Sequence, residues 1–194
     1  SFSNFSVLKI RDLPLRYVDD QVPGVHILRE ICKWCSISEP LAEADNEMTL
    51  RIDYRAIAPD AIATLSQVND YISNSSIDST LRYLVEIRTS QINGCSYCIQ
   101  VHRAQALGIG EDDKRLDALE RWRESSLFSN RERVALAWTD NVTLIAESHA
   151  PQDVFAALRG HFSDKQIVDL TIVIMSMNSW NRLAISFGRK AQNE

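Results

Sequence analysis

Cys95 and Cys98, with two residues between them and His102 four positions further on, are the side chains of this sequence best placed to do chemistry. The segment Gly94-Cys95-Ser96-Tyr97-Cys98-Ile99-Gln100-Val101-His102 brings a dithiol and a titratable ring within about two helical turns. At ~100° per residue the three side chains fall in an arc of roughly 60° on one helix face, so all three can meet one pocket. Positions i and i+3 hold Cβ atoms ~5–6 Å apart, slightly wider than a disulfide prefers. Closing the pair therefore needs a small adjustment at a helix end, and Gly94 sits where that adjustment falls.

A helix N-terminus offers unpaired N–H groups and a positive dipole end, both of which favour thiolate over thiol, and a nearby imidazole can relay the departing proton. Oxidation of one such cysteine by a peroxide gives a sulfenic acid, which the other converts to a disulfide that a reductant later opens. Two other readings of the pair stay open: half of a zinc site, or a silent buried pair. Zinc would require Cys32 and Cys35 to complete a four-thiolate set. Those two share the stripe of Leu28 and Ile31, which reads as a core-facing helix with small buried cysteines. Glu86 lies among Tyr83, Ile87 and Ser90, a largely apolar setting in which a carboxylate needs a partner. It can orient or deprotonate His102, or pair with Arg82 or Arg88.

The elements that must position these groups read as helices. Pro59 opens one to about Asn74, and Asp78 caps another that stops at Asn93-Gly94, just before the dithiol. A third runs from about Cys95 to Leu107, and a fourth from Asp112 to Arg123. Ser129 with Glu132 forms a capping-box pattern ahead of a long helix through Val134, Trp138, Val142 and Ile145. Pro151 begins a short helix to Phe162, and Ser163 caps a last one so apolar that it must be buried or interfacial, which predicts a homo-oligomer. The expectation is an all-α fold. Residues 1–49, broken by Pro14, Pro23-Gly24 and Pro40, read as an extension packing on the 50–194 core, with one short helix from Val25 to Ser36.

Composition narrows the function. At 194 residues, 45% hydrophobic and 24% charged, the chain has enough core to fold without staples. Four cysteines in two close pairs point to a reducing compartment, not a disulfide scaffold. A net charge of −5 with no basic stripe argues against nucleic acid. The longest apolar run, Thr171 to Met177, is far short of the ~20 residues that span a bilayer, and the start lacks a leader pattern, so a cytoplasmic location is expected.

The stretch from Glu86 to Cys98, with His102 following, resembles the alkylhydroperoxidase D-like branch of the carboxymuconolactone decarboxylase family. The likeness continues through Arg51-Ile52-Asp53-Tyr54, Trp122-Arg123-Glu124-Ser125 and Asn178-Ser179-Trp180-Asn181-Arg182-Leu183, and covers residues 50–194. It implies a helical bundle assembling as homo-trimers or homo-hexamers, and a thiol peroxidase cycle with Cys98 peroxidatic and Cys95 resolving. It also implies a proton relay through His102 and a glutamate, here Glu86. The usual relay glutamate lies twelve residues before the first cysteine, where this chain carries Tyr83. The expected partners are a small peroxide and a dithiol or lipoyl-type reductant protein, with no cofactor, metal, membrane or nucleic acid. The alternatives are decarboxylation of a lactone acid, as in the family's namesake, or a non-enzymatic redox sensor or interaction protein.

Overall fold

The computed structural model describes residues 50–191, and among them every regular element is helical. The helix expected at Val25–Ser36, the packing of residues 1–49 on the core and the burial of Cys32 and Cys35 lie outside the described residues.

In chain order the elements are α1 (Tyr54–Ile57), α2 (Pro59–Ser73), α3 (Ser79–Asn93), α4 (Ser96–Gly108) and α5 (Asp113–Ala118). A 3-10 turn at Leu119–Arg121 leads to α6 (Asn130–Thr143), α7 (Ile145–Ser148), α8 (Gln152–Arg159) and α9 (Asp164–Ser186). Local chemistry sets most of the boundaries. Asp78 accepts the Leu81 N–H to start α3, and Ser129/Glu132 and Ser163/Gln166 make reciprocal capping boxes at α6 and α9. Gly94, at φ +71°, ends α3 in the left-handed region that glycine enters without steric penalty.

Four boundaries differ from the sequence reading. The expected Asp112–Arg123 helix tightens into the 3-10 turn after Ala118, where the buried residues Leu116, Leu119 and Trp122 recur every three positions, a spacing that a three-per-turn coil brings into line. The helix from Ser129 breaks at Leu144, which leaves Ile145 exposed in α7. Pro151 stands before α8 as its N-cap, and α8 ends at Arg159. α1 was not foreseen; Asp53 caps it by accepting from the N–H groups of Arg55 and Ala56.

α3 is covered on two faces. Leu81 and Val85 join Trp138, Leu158, Leu170 and Ile174 in one apolar cluster. Leu84 and Ile87 join Leu116, Leu119, Trp122 and Leu136 in another. Leu84 is fully buried, and its truncation to Ala would cost about 3 kcal/mol.

α9 packs against α2, α3, α4, α6 and α8. Its core side, expected to be apolar, also buries Asp169, Ser176, Asn178 and Asn181. Asp169 accepts from Tyr71 Oη at 2.6 Å, from Ser76 Oγ at 2.7 Å and N at 3.1 Å, and from Lys165 Nζ at 2.6 and 2.7 Å. It thereby ties α2, the α2–α3 turn and α9 together. Burial alone would push its carboxyl up, but the bonds from Lys165, Tyr71 and Ser76 outweigh that and hold it well below the usual carboxylate range.

Candidate active site

The two sulfurs sit where α3 hands over to α4. After Gly94 the Cys95 N–H returns to the Ser90 carbonyl at 2.9 Å, and Cys95 becomes the N-cap of α4, its Sγ accepting the Cys98 N–H at 3.4 Å. Cys95 and Cys98 are joined as a disulfide, with Cα atoms 5.4 Å apart. The i, i+3 spacing that looked slightly too wide is met because Cys95 lies just outside the helix, with φ −90° and ψ 88°. The two sulfurs are not equivalent. Both are buried, Cys95 at 1% and Cys98 at 4% exposure, but Cys98 lines a cleft of about 430 Å³ and Cys95 does not.

His102, one turn along α4, lines the same cleft, as do Glu86 and Tyr83 from α3. The imidazole Nδ1 lies 3.1 Å from Glu86 Oε2, close enough for an ion pair but out of line for a hydrogen bond. On the other side, Arg82 Nε stands 4.0 Å from Glu86 Oε1 and likewise makes no aligned bond. A carboxylate beside Nδ1 is an arrangement that can orient an imidazole for proton transfer. Tyr83 contributes its ring face to the Arg82 guanidinium, at 4.6 Å. Of the two α3 residues Glu86 and Tyr83, Glu86 is the one that stands beside the imidazole.

A buried polar chain holds the turn against α9. Asn93 Nδ2 donates to Asn178 Oδ1 at 3.0 Å and to Asn181 Oδ1 at 2.9 Å. Asn181 Nδ2 donates to Ser90 Oγ at 3.1 Å, and Ser90 Oγ donates on to the Glu86 carbonyl at 2.8 Å. Arg182 Nη1 closes the chain on Asn178 Oδ1 at 2.9 Å. These asparagines position the dithiol without touching its cleft, and the sequence reading assigned them no role. Polar residues at i and i+3 on an otherwise apolar helix were the available signal.

Arg55, Asn69 and Trp180 were also missed as lining residues; they reach the cleft from α1, α2 and α9. Met177 and Ala184 share one buried cluster with the two cysteines. Among the described residues no three His, Cys, Asp or Glu side chains are grouped to hold a metal.

The Carboxymuconolactone decarboxylase family matches residues 59–141. The Bacillus subtilis (strain 168) protein YdfG is 36% identical over 147 residues, 76% of this chain and 100% of YdfG. The crystal structure of ATU0492 from Agrobacterium tumefaciens, linked by name to the antioxidant defence protein AhpD, superposes with a TM-score of 0.73 at 36% identity, over 75% of this chain and 100% of that one. The debrominase Bmp8, at 18% identity and a TM-score of 0.65 over 71% of this chain and 74% of its own, shares the fold. A chain that matches the whole of YdfG and ATU0492 at this identity, with the family's own match spanning its dithiol, belongs to the carboxymuconolactone decarboxylase family, in the alkylhydroperoxidase D-like branch.

Proposed function

We propose that this protein is a thiol peroxidase that reduces hydrogen peroxide or an organic hydroperoxide through Cys98 and Cys95. The observation that carries the reading is the placement of the pair: both sulfurs are buried, but Cys98 lines the cleft together with His102 and Glu86, and Cys95 does not. The Cys98 thiolate attacks one peroxide oxygen, the O–O bond breaks, an S–OH forms, and the alcohol or water leaves with a proton that His102 supplies. Cys95 then attacks the Cys98 sulfur, expelling water and forming the disulfide. A partner dithiol, carried by a protein or a lipoyl group, returns two electrons and two protons.

The chain operates in the cytoplasm as a homo-trimer or homo-hexamer. The exposed Val168 and Met175 of α9 support the assembly, since they share an outward stripe that a second subunit would cover.

The test is intact-mass and stopped-flow analysis of the reduced protein after one equivalent of peroxide. Rapid loss of two hydrogens, replaced in Cys95→Ser by gain of one oxygen, is the expected result. Two thiols surviving unchanged would sink the reading. Lactone decarboxylation retained by a Cys95→Ser/Cys98→Ser double variant would point to the namesake chemistry. A disulfide that forms with peroxide but never turns over would point to a sensor.

A further inference from the structure

The cleft that Cys98 opens on, at about 430 Å³, is in the size range of small-molecule sites and far larger than hydrogen peroxide requires. Its hydrogen-bonding capacity is spent unevenly. Asn69 Oδ1 accepts from Ser176 Oγ and from Trp180 Nε1, each at 3.1 Å. Only the amide oxygen can accept, so this double acceptance fixes the orientation of the group and leaves the Nδ2 hydrogens with no acceptor among the described residues. The neighbouring hydroxyls are occupied, Ser66 Oγ donating to the Ile62 carbonyl and Ser73 Oγ to the Asn69 carbonyl.

Arg55 lies beside this wall, its guanidinium carbon 5.5 Å from the centroid of the Trp180 ring. It pairs with no carboxylate among the described residues, and nearby Asp53 is engaged in capping α1. Arg82, on the α3 side of the cleft, differs because Glu86 answers its charge at 4.0 Å. At the solvent-exposed Arg55–Asn69 end the donors left unspent are therefore the Asn69 amide and the Arg55 guanidinium, and toward the sulfur the wall is apolar along Met177 and Val173.

We propose that the substrate is an organic hydroperoxide bearing a carboxylate. Its peroxide reaches Cys98, its hydrocarbon body lies against Met177 and Trp180, and its carboxylate takes charge-assisted bonds from Arg55 and the Asn69 amide. The inference rests on the peroxidase reading for the reacting end alone; the anion preference belongs to the cleft and is measurable without turnover.

Calorimetry with 4-isopropylbenzoate and its neutral counterpart 4-isopropylbenzamide makes the first measurement. The carboxylate is expected to bind about tenfold tighter. Arg55→Ala should bring the two to parity and Arg55→Lys should keep part of the difference. Asn69→Asp, which still accepts from Ser176 and Trp180 but turns a second oxygen to the cleft, should reverse the preference. The second measurement compares cumene hydroperoxide with its para-carboxylated analogue, for which kcat/KM should be about tenfold higher in the unaltered protein. Equal affinities in that protein, or a preference that survives both Arg55→Ala and Asn69→Asp, overturns the proposal. An anion preference without consumption of either hydroperoxide upholds the anion site and overturns the peroxidase reading instead.

Discussion

Two polar clusters lie along the same helix, and they are finished to different degrees. Near the start of α9, Asp169 has both oxygens taken by Tyr71, Ser76 and Lys165, and nothing in that knot is left over. Beside the second half of α9, Glu86 Oε2, His102 Nδ1 and Arg82 Nε are buried within a few ångströms of one another and make no aligned hydrogen bond. Buried polar groups that are fully satisfied hold a fold; a carboxylate, an imidazole and a guanidinium held close together on a cleft wall are a candidate for chemistry. The two clusters should therefore fail in opposite ways when altered: the first in stability, the second in rate.

The largest effect belongs to the sulfur at the cleft. Cys98→Ser should reduce peroxide consumption to the uncatalysed level while the melting temperature stays near that of the reduced unaltered protein, because a small buried hydroxyl replaces a small buried thiol. Thermal unfolding measured beside a peroxide-consumption assay checks both halves.

Glu86→Gln comes next. Without the carboxylate the imidazole loses its charged neighbour, and alkylation of the Cys98 thiol at neutral pH should slow about a hundredfold, the size of a lost general-base contribution. Stability should change less than in Asp169→Asn, since Glu86 Oε2 makes no aligned bond to lose. A large drop in stability with an unchanged alkylation rate would place Glu86 with the structural knot and remove the contrast.

Asp169→Asn should show the reverse pattern. It replaces charge-assisted bonds by neutral ones in a buried site and should cost about 2 kcal/mol in urea unfolding, with kcat/KM per folded molecule retained. The pH dependence carries a sign. The Asp169 carboxyl is held below its unfolded value of ~3.9, so the native state gains stability above that value and loses it as pH falls through the folded one. Glu132 adds in the same direction: burial pushes it up, but its bonds from Arg115 and Ser129 bring it down. Acid unfolding of the unaltered protein should steepen below about pH 4, and Asp169→Asn should flatten that limb.

How much of this was legible follows from how far apart the partners are. Ser129 with Glu132, Asp78 at the head of α3 and Gly94 at its end are local signals, and each stands where the sequence placed it. Cys98 and His102 share a face through helical periodicity and both line the cleft; Cys95, expected to meet the same pocket, stands outside α4 as its N-cap and is not part of the cleft wall. The Asp169 knot, the Asn93–Asn178–Asn181 chain and the Asn69–Trp180 bond each join residues more than eighty positions apart. No periodicity reports such pairs. The buried polar residues of α9 were visible as residues, but what they bind exists only once α2 and α3 are packed beside them.

The finest point of the contrast lies inside the active site, between Glu86 and Tyr83. Both come from α3 and both line the cleft, and Tyr83 occupies the position where the usual pattern of the family carries its relay glutamate. The geometry separates them. Glu86 Oε2 is 3.1 Å from the imidazole, whereas the face of the Tyr83 ring supports the Arg82 guanidinium at 4.6 Å. A ring that steadies a neighbouring cation acts through its face, and that contact survives loss of the hydroxyl. Tyr83→Phe should therefore change the Cys98 alkylation rate by less than about threefold, a small fraction of a general-base contribution. Its pH profile should overlay that of the unaltered protein. Tyr83→Leu, which removes the ring, should loosen Arg82 and slow the reaction further than Phe does. If Tyr83→Phe instead matched the loss seen in Glu86→Gln, the phenol would be passing the proton and the carboxylate would only be orienting the ring.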